Sequence, residues 1–332
     1  MVVLALHCAI CLLGGAIMLF GPLPGREQAT VCVPRLMGVV VVLGSAAFAE
    51  LFAIALLGGS LFRLIALTHA SLFIVLPILA LAIVVSSLRR GDEHRPTRGA
   101  MALALLTLPL PAIGAHAAWI APEQLVVERA GLDVPADLPA PLTVGVLADY
   151  QSDHIGAYQV EAIDRLLALE PDLILIPGDL LQTLTLEQYE EAAPAFREQL
   201  ARLKAPAGVY FAQGNVDPNM AYHALLHGTD VRILDDEVVQ VEHEGIRIAV
   251  GGLRLSGFRS ELGRAAMAEL AAADADVRLL LSHMPRAVLS LPADSGVDLV
   301  VAGHTHGGQV VLPFFGPPVT LSTVPRHVAA GG

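Results

Sequence analysis

Hydrophobic positions change character near residue 120. Before it, four long apolar runs, Val2–Phe20, Leu36–Leu57, Leu64–Leu88 and Gly99–Ile120, each approach the ~20 residues that cross a bilayer. From Pro141 onward, short apolar runs alternate with amphipathic stretches. Leu142–Ala148, Leu173–Ile176, Val209–Ala212, Ile246–Val250, Val277–Leu281 and Val297–Ala302 read as buried strands. Val160–Leu169, Leu186–Leu203 and Glu261–Ala272 carry helical spacing, and Val231–Gly252 reads as consecutive strands with a turn near Glu244-Gly245. The pattern predicts a membrane domain of four transmembrane helices over 1–120 and a proline-bearing linker, with room for one short strand, over 121–140. An α/β domain with a mixed sheet or a pair of sheets follows over 141–332.

Composition sharpens this division. The 332 residues are 55% hydrophobic and only 16% charged, against about 25% charged in an ordinary soluble domain. The first 120 residues hold 7 Arg and 4 acidic residues, while the remainder holds 13 basic and 28 acidic residues, a net of -15. An acidic soluble half excludes a nucleic-acid partner for that half, because backbone binding needs a basic surface. Arg26, Arg35, Arg89, Arg90, Arg95 and Arg98 fall in the loops on one side of the four runs, and Arg63 in the short Gly58–Ser60 turn on the other. Positive loops stay inside. Both ends of the chain, and the α/β domain, are therefore expected outside the membrane, with Trp119 at the outer interface.

The first run lacks a basic leader and is followed by three more, so it reads as a span rather than a signal peptide. Cys8, Cys11 and Cys32 all lie in the membrane half and read as small hydrophobes. Glu50 and His69 fall about 13–15 Å from the Gly58–Ser60 turn at ~1.5 Å per residue. They are therefore candidates to face one another, either as a functional pair or as glue between two helices.

The chemistry sits where strands end. Leu142–Ala148 runs into Asp149-Tyr150-Gln151, Leu173–Ile176 into Pro177-Gly178-Asp179, and Val209–Ala212 into Gln213-Gly214-Asn215-Val216-Asp217. Val277–Leu281 runs into Ser282-His283, and Val297–Ala302 into Gly303-His304-Thr305-His306. Ligands of open α/β sheets bind outside the carboxyl ends of strands. Two Asp, an Asn, a His and a His-x-His delivered to one edge make a ligand set suited to two divalent cations, Mn, Fe or Zn by donor type.

This series, closing on Gly-His-Thr-His, resembles the calcineurin-like metallophosphoesterases over residues 142–312, and the preceding spans are similar to the bacterial membrane-tethered branch. The resemblance implies two mixed sheets sandwiched by helices, with a dinuclear site at one edge. It implies a first metal held by Asp149, Asp179 and His306, and a second held by Asp179, Asn215, His283 and His304. A hydroxide bridging two cations about 3.5–4 Å apart would then attack phosphorus in line. The implied activity is hydrolysis of a phosphomonoester or phosphodiester. Membrane lipid is then a partner of the anchor, and a lipid-linked or envelope-associated ester is the expected substrate.

Two departures bear on that expectation. Gln151 stands where the family carries a His ligand; its carbonyl oxygen is a neutral, weaker donor. Val216 stands where the family carries a His that helps the leaving group depart, a contribution worth about 10²–10⁴-fold. His154 and Asp217 are the candidate replacement acids; the plainer alternatives are a surface loop residue and a helix cap. The departures also motivate a second reading, a weakly active or inactive metal-binding sensor on a membrane anchor. In a third, the spans are a carrier using Glu50 and His69, with the outer domain as regulator. The chain stops at Gly331-Gly332, where family members continue into closing strands, which raises the expectation of a fragment.

Overall fold

In a computed structural model, residues 69–89, 98–183, 185–217, 221–292 and 294–308 are described, with isolated positions beyond. The expected runs Val2–Phe20 and Leu36–Leu57, and Glu50 with them, lie outside the described residues. The chain divides into two compact units, Met1–Gln124 and Leu125–Gly332.

In the first unit a helix runs from a π-turn at Ser71–Val75 into α1 (Leu76–Arg89); α2 (Arg98–Thr107) and α3 (Leu110–Ala115) follow. α1 packs on α2, and the Ser71–Val75 turn packs on α3. At that contact Gly114 lies so close to Phe73 that any side chain would collide with it. The His69 ring stacks on Phe73 at 4.5 Å. Among the described residues, Leu105–Glu123 is the one helix long and apolar enough to cross a membrane. It starts later than the expected Gly99–Ile120 and encloses a turn at Leu108-Pro109, where proline offers no N–H to the ladder.

In the second unit, β2 (Leu173–Ile176) is buried along its whole length, as a central parallel strand must be. It lies between β1 (Val144–Val146) and β3 (Val209–Phe211), with β4 (Val231–Ile233) beyond; the four are parallel in the order β1-β2-β3-β4. The second sheet is β5 (Glu237–His243), β6 (Ile246–Leu253), β7 (Val277–Ser282) and β8 (Leu299–Val301). Here β5 is antiparallel to β6 and the remainder are parallel. The β5–β6 turn falls at Glu244-Gly245 as expected, both residues having positive φ (49° and 80°), the geometry of the tight hairpin turn that suits strand twist.

The period-two alternation of strands separates three hydrophobic layers. Leu173, Leu175, Leu279 and Leu281 point into the space between the sheets. Ile174, Ile176 and Phe211 point outward to α4 (Ala157–Leu167), α5 (Leu186–Leu200) and α6 (Ala221–Leu226), where Ile163, Phe196 and Leu225 meet them. Ala249 and Leu280 point outward on the other side to Met267 and Leu270 of α7 (Glu261–Ala272). The unit is therefore a helix–sheet–sheet–helix sandwich.

Several boundaries differ from the sequence reading. β1 and β8 have three residues each, because beyond them the chain turns away from the ladder to carry Asp149 and His304. α4 begins at Ala157 rather than Val160, since Gln159 Oε1 accepts the Gly156 N–H at 3.0 Å and caps the helix. Residues 124–140 form no strand. Phe196 is fully buried, so Phe196→Ala is expected to cost about 3–5 kcal/mol, measured as a lowered denaturant midpoint of the full chain.

Candidate metal centre

Register places the site before any side chain is considered. The pairs Val146↔Leu175, Ile176↔Phe211 and Phe211↔Ile233 align the carboxyl ends of the first sheet. Leu253↔Ser282 and Leu281↔Val301 align those of the second. The segments that leave these ends bring the predicted residues together across the seam between the sheets.

Asp179 is buried, and its carboxylate oxygen Oδ1 accepts the Val216 N–H at 2.9 Å. Its other oxygen lies 3.5 Å from His283 Nε2. His283 is fully buried, and its Nδ1 lies 2.8 Å from the Pro177 carbonyl. A carbonyl only accepts, so Nδ1 carries the proton and neutral His283 presents its Nε2 lone pair to the site. The Asn215 amide oxygen lies 2.8 Å from that Nε2 and 2.7 Å from His304 Nδ1. Asp149 Oδ1 accepts the His304 N–H at 2.9 Å, and Asp149 Oδ2 is 4.0 Å from His306 Nε2. Carboxylate oxygens of Asp149 and Asp179 and a ring nitrogen of His283 all lie within 4.8 Å of one another, close enough to share one metal ion.

The electrostatics are those of a site short of positive charge. Burial pushes the Asp179 carboxyl above its ordinary value; the Val216 N–H opposes the push and Asp149 reinforces it. Burial likewise holds the imidazoles of His283 and His304 below their ordinary value, keeping them neutral and fit to donate lone pairs. Among the described residues Gln151 Oε1 is buried without a hydrogen-bond partner. A buried amide oxygen left without a donor is costly unless something cationic meets it. Carboxylate, amide oxygen and imidazole together fit a borderline divalent cation.

Backbone strain accompanies this convergence. Asp149, Asp179, His304 and His306 all have positive φ (48°, 58°, 72° and 49°), a conformation costing about 1–3 kcal/mol at a non-glycine residue and tolerated where surroundings over-determine it. Asp217 supplies much of that determination. Buried on α6's approach, its carboxylate accepts the Asp179 N–H (2.8 Å), the Leu180 N–H (2.9 Å) and the Gly214 N–H (2.8 Å). Burial pushes its carboxyl up, and those three amides oppose the push. Gly178 and Gly214 make the approach feasible: a Cβ on Gly178 would strike the Gly214 backbone, and one on Gly214 would strike the Asp179 carboxylate.

The sequence reading offered Asp217 as a replacement acid or a helix cap, and the structure makes it a clamp between two ligand-bearing loops. The anchoring of His283 by the Pro177 carbonyl was also missed; a main-chain acceptor leaves no mark in composition. His154, the other candidate acid, is not gathered into the site. It is exposed, its Nδ1 lies 2.6 Å from Asp153 Oδ1, and its main chain is bound to Ser152 Oγ.

Comparison with known proteins agrees with this geometry. Residues 142–308 match the calcineurin-like phosphoesterase family, and the chain belongs to it. The Caenorhabditis elegans protein F40B5.2, whose name carries the same activity class, is 31% identical over 195 residues, 52% of this chain and 38% of that protein. YpbG of Bacillus subtilis is 28% identical over 185 residues, 53% of this chain and 66% of that protein. A Bos taurus protein named as a transmembrane protein with a metallophosphoesterase domain is 27% identical over 191 residues, 51% of this chain and 41% of that one. The chain thus spans less than two thirds of the length of each.

Asp217→Asn removes one acceptor oxygen from three amide donors. It is expected to destabilise the chain by about 1–3 kcal/mol and to weaken Mn or Zn binding by about 10–100-fold, read by thermal unfolding and by calorimetric titration of the metal.

Proposed function

We propose that the chain is a membrane-anchored, metal-dependent phosphoric ester hydrolase acting on a phosphomonoester or phosphodiester outside a bacterial cytoplasmic membrane. The observation that carries this reading is the meeting of buried Asp179 and His283 Nε2 with the amide oxygen of exposed Asn215, with the His283 Nδ1 proton already spent on Pro177. Asp149, Gln151, Asp179 and His306 would hold one divalent cation, and Asp179, Asn215, His283 and His304 a second, with Asp179 shared. When bound, such cations supply Lewis acidity toward a phosphoryl oxygen and a water activated at neutral pH.

The protein's own part is positional. Asp217 fixes the two loops, Pro177 sets the tautomer of His283, and the left-handed turns at Asp149 and Asp179 aim their carboxylates at one place. Val216 contributes its N–H to Asp179 and has no side-chain proton for a leaving group. Esters with good leaving groups are therefore the favoured substrates. The anchor is proposed as four spans with their arginine-rich loops inside; the helix Leu105–Glu123 and the transmembrane name of the bovine relative support it.

The decisive experiment measures bound metal in the purified full chain and its turnover of nitrophenyl phosphate mono- and diesters. Asp179→Asn is expected to lower turnover by more than about 100-fold, beyond the loss typical of an outer-shell partner, with the far-UV circular dichroism retained. Metal binding without hydrolysis of any ester would instead establish the sensor reading, which the loss of a side-chain proton donor at Val216 favours.

A pH dependence follows from the neutral histidines. Only unprotonated imidazole donates to a metal, and burial keeps His283 and His304 unprotonated through their ordinary value of 6.5. These two imidazoles are expected to leave metal affinity flat above pH 6.5 and to lower it only below that, as followed by calorimetric titration across pH.

A further inference from the structure

The edge that carries the converging ligands also carries a patch unlike the rest of its domain. β6 ends at Leu253, in register with Ser282 just before His283, so the segment that leaves β6 starts at this edge. It forms a 3-10 turn at Gly257–Arg259 and enters α7, while the chain beyond His283 forms a second 3-10 turn at Pro285–Ser290. The two turns pack on one another, and α7 packs on the first. A Cβ on Gly263 would strike the Gly257 carbonyl, so the start of α7 is held against that turn without slack.

This rigid platform presents two large apolar side chains to solvent, Leu262 at 69% and Leu289 at 60% exposure. The same two segments, 255–264 and 284–290, carry Arg259, Arg264 and Arg286 against Glu261, and Asp236 lies against the first turn, where it accepts from the Ser260 hydroxyl at 3.5 Å. The Arg264 guanidinium donates to the Arg259 carbonyl at 2.6 Å, and Arg259 lies over the Phe258 ring at 5.1 Å. Both cations are thus held to the first turn and the start of α7. In a half of the chain whose net charge is -15, three arginines against two carboxylates are a local departure from its charge.

We propose that this patch docks the ligand-bearing edge on an anionic bilayer surface, with Leu262 and Leu289 in the acyl boundary and the arginines on lipid phosphates. Charge complementarity selects that occupant: exposed leucines on segments that also carry arginines match an interface whose apolar layer is covered by phosphate. The chain also gives reason for a bilayer to be near, since Leu105–Glu123 is long and apolar enough to cross one. Docking in this way would set a lipid-borne phosphate ester before Asp149 and Asp179; that consequence rests on the hydrolase reading, whereas the docking itself does not.

The test reads position rather than turnover. The full chain, with Cys8, Cys11 and Cys32 replaced by Ser and a bimane fluorophore on Leu289→Cys, is reconstituted in vesicles of phosphatidylcholine alone or mixed with phosphatidylglycerol, each with nitroxide-labelled tails. Quenching is expected to be severalfold stronger in the anionic vesicles. Arg259→Glu with Arg264→Glu should abolish the difference, each basic residue near such a surface being worth about fivefold.

A control fluorophore on Glu244→Cys, in the turn at the opposite end of β6, should remain unquenched in both. Soluble-ester turnover equal to the parent's would show that the charge-reversed variant is folded, and the lipid comparison stands without that variant. Equal quenching at 289 in the two lipids, quenching no stronger than at 244, or lipid-independent shielding of 289 from aqueous iodide, as a second copy or another protein would give, overturns the proposal. A docked edge with no hydrolysis would leave the docking intact and remove only the hydrolase reading.

Discussion

Two buried carboxylates of opposite employment hold this site together. Asp217 spends its charge inward on three main-chain amides from two loops, and Asp179, whose own amide is one of those three, points its charge at the edge of the sandwich. The arrangement is reciprocal, since the loop that carries Asp217 returns the Val216 N–H to Asp179. Without the inward carboxylate, the positive φ of Asp179 and the close passage of Gly178 past Gly214 would have little to enforce them. A buried charge is expensive alone, and here one is matched by amide dipoles while the other awaits a cation.

The sandwich supplies what the clamp needs. Strands in parallel register end at one level, so five loops leave the two sheets side by side, and Leu173 and Leu175 of β2 meet Leu279 and Leu281 of β7 between the sheets and hold them face to face. Because Asp149, Asp179 and Asn215 come from one sheet and His283 and His304 from the other, the site straddles the seam. Its geometry therefore depends on how the two sheets pack as well as on any local motif.

The two positions that the sequence reading set apart, Gln151 and Val216, have a physical place in the structure. Among the described residues the Gln151 side-chain oxygen is buried with no hydrogen-bond partner. Val216 keeps only the main-chain contribution of its position. Its N–H goes to the Asp179 carboxylate, and its aliphatic side chain offers no proton.

The sequence by itself determined a good deal: the division into an apolar and an acidic half, the strand runs of the second half, the β5–β6 turn, and the residues Asp149, Asp179, Asn215, His283, His304 and His306 at strand ends. Periodicity and turn chemistry are local, so they can be read along the chain. What only the tertiary structure decided was non-local. Asp217 is indistinguishable from a cap until the distant amides of Asp179 and Leu180 are seen on its carboxylate beside that of Gly214, and the proton on His283 is set by a carbonyl 106 residues away. His154 looked available because it follows Asp149 in sequence, yet its loop carries it out to Asp153 and solvent. Contacts between residues far apart in sequence arise from packing two sheets together, and no pattern along one strand encodes them.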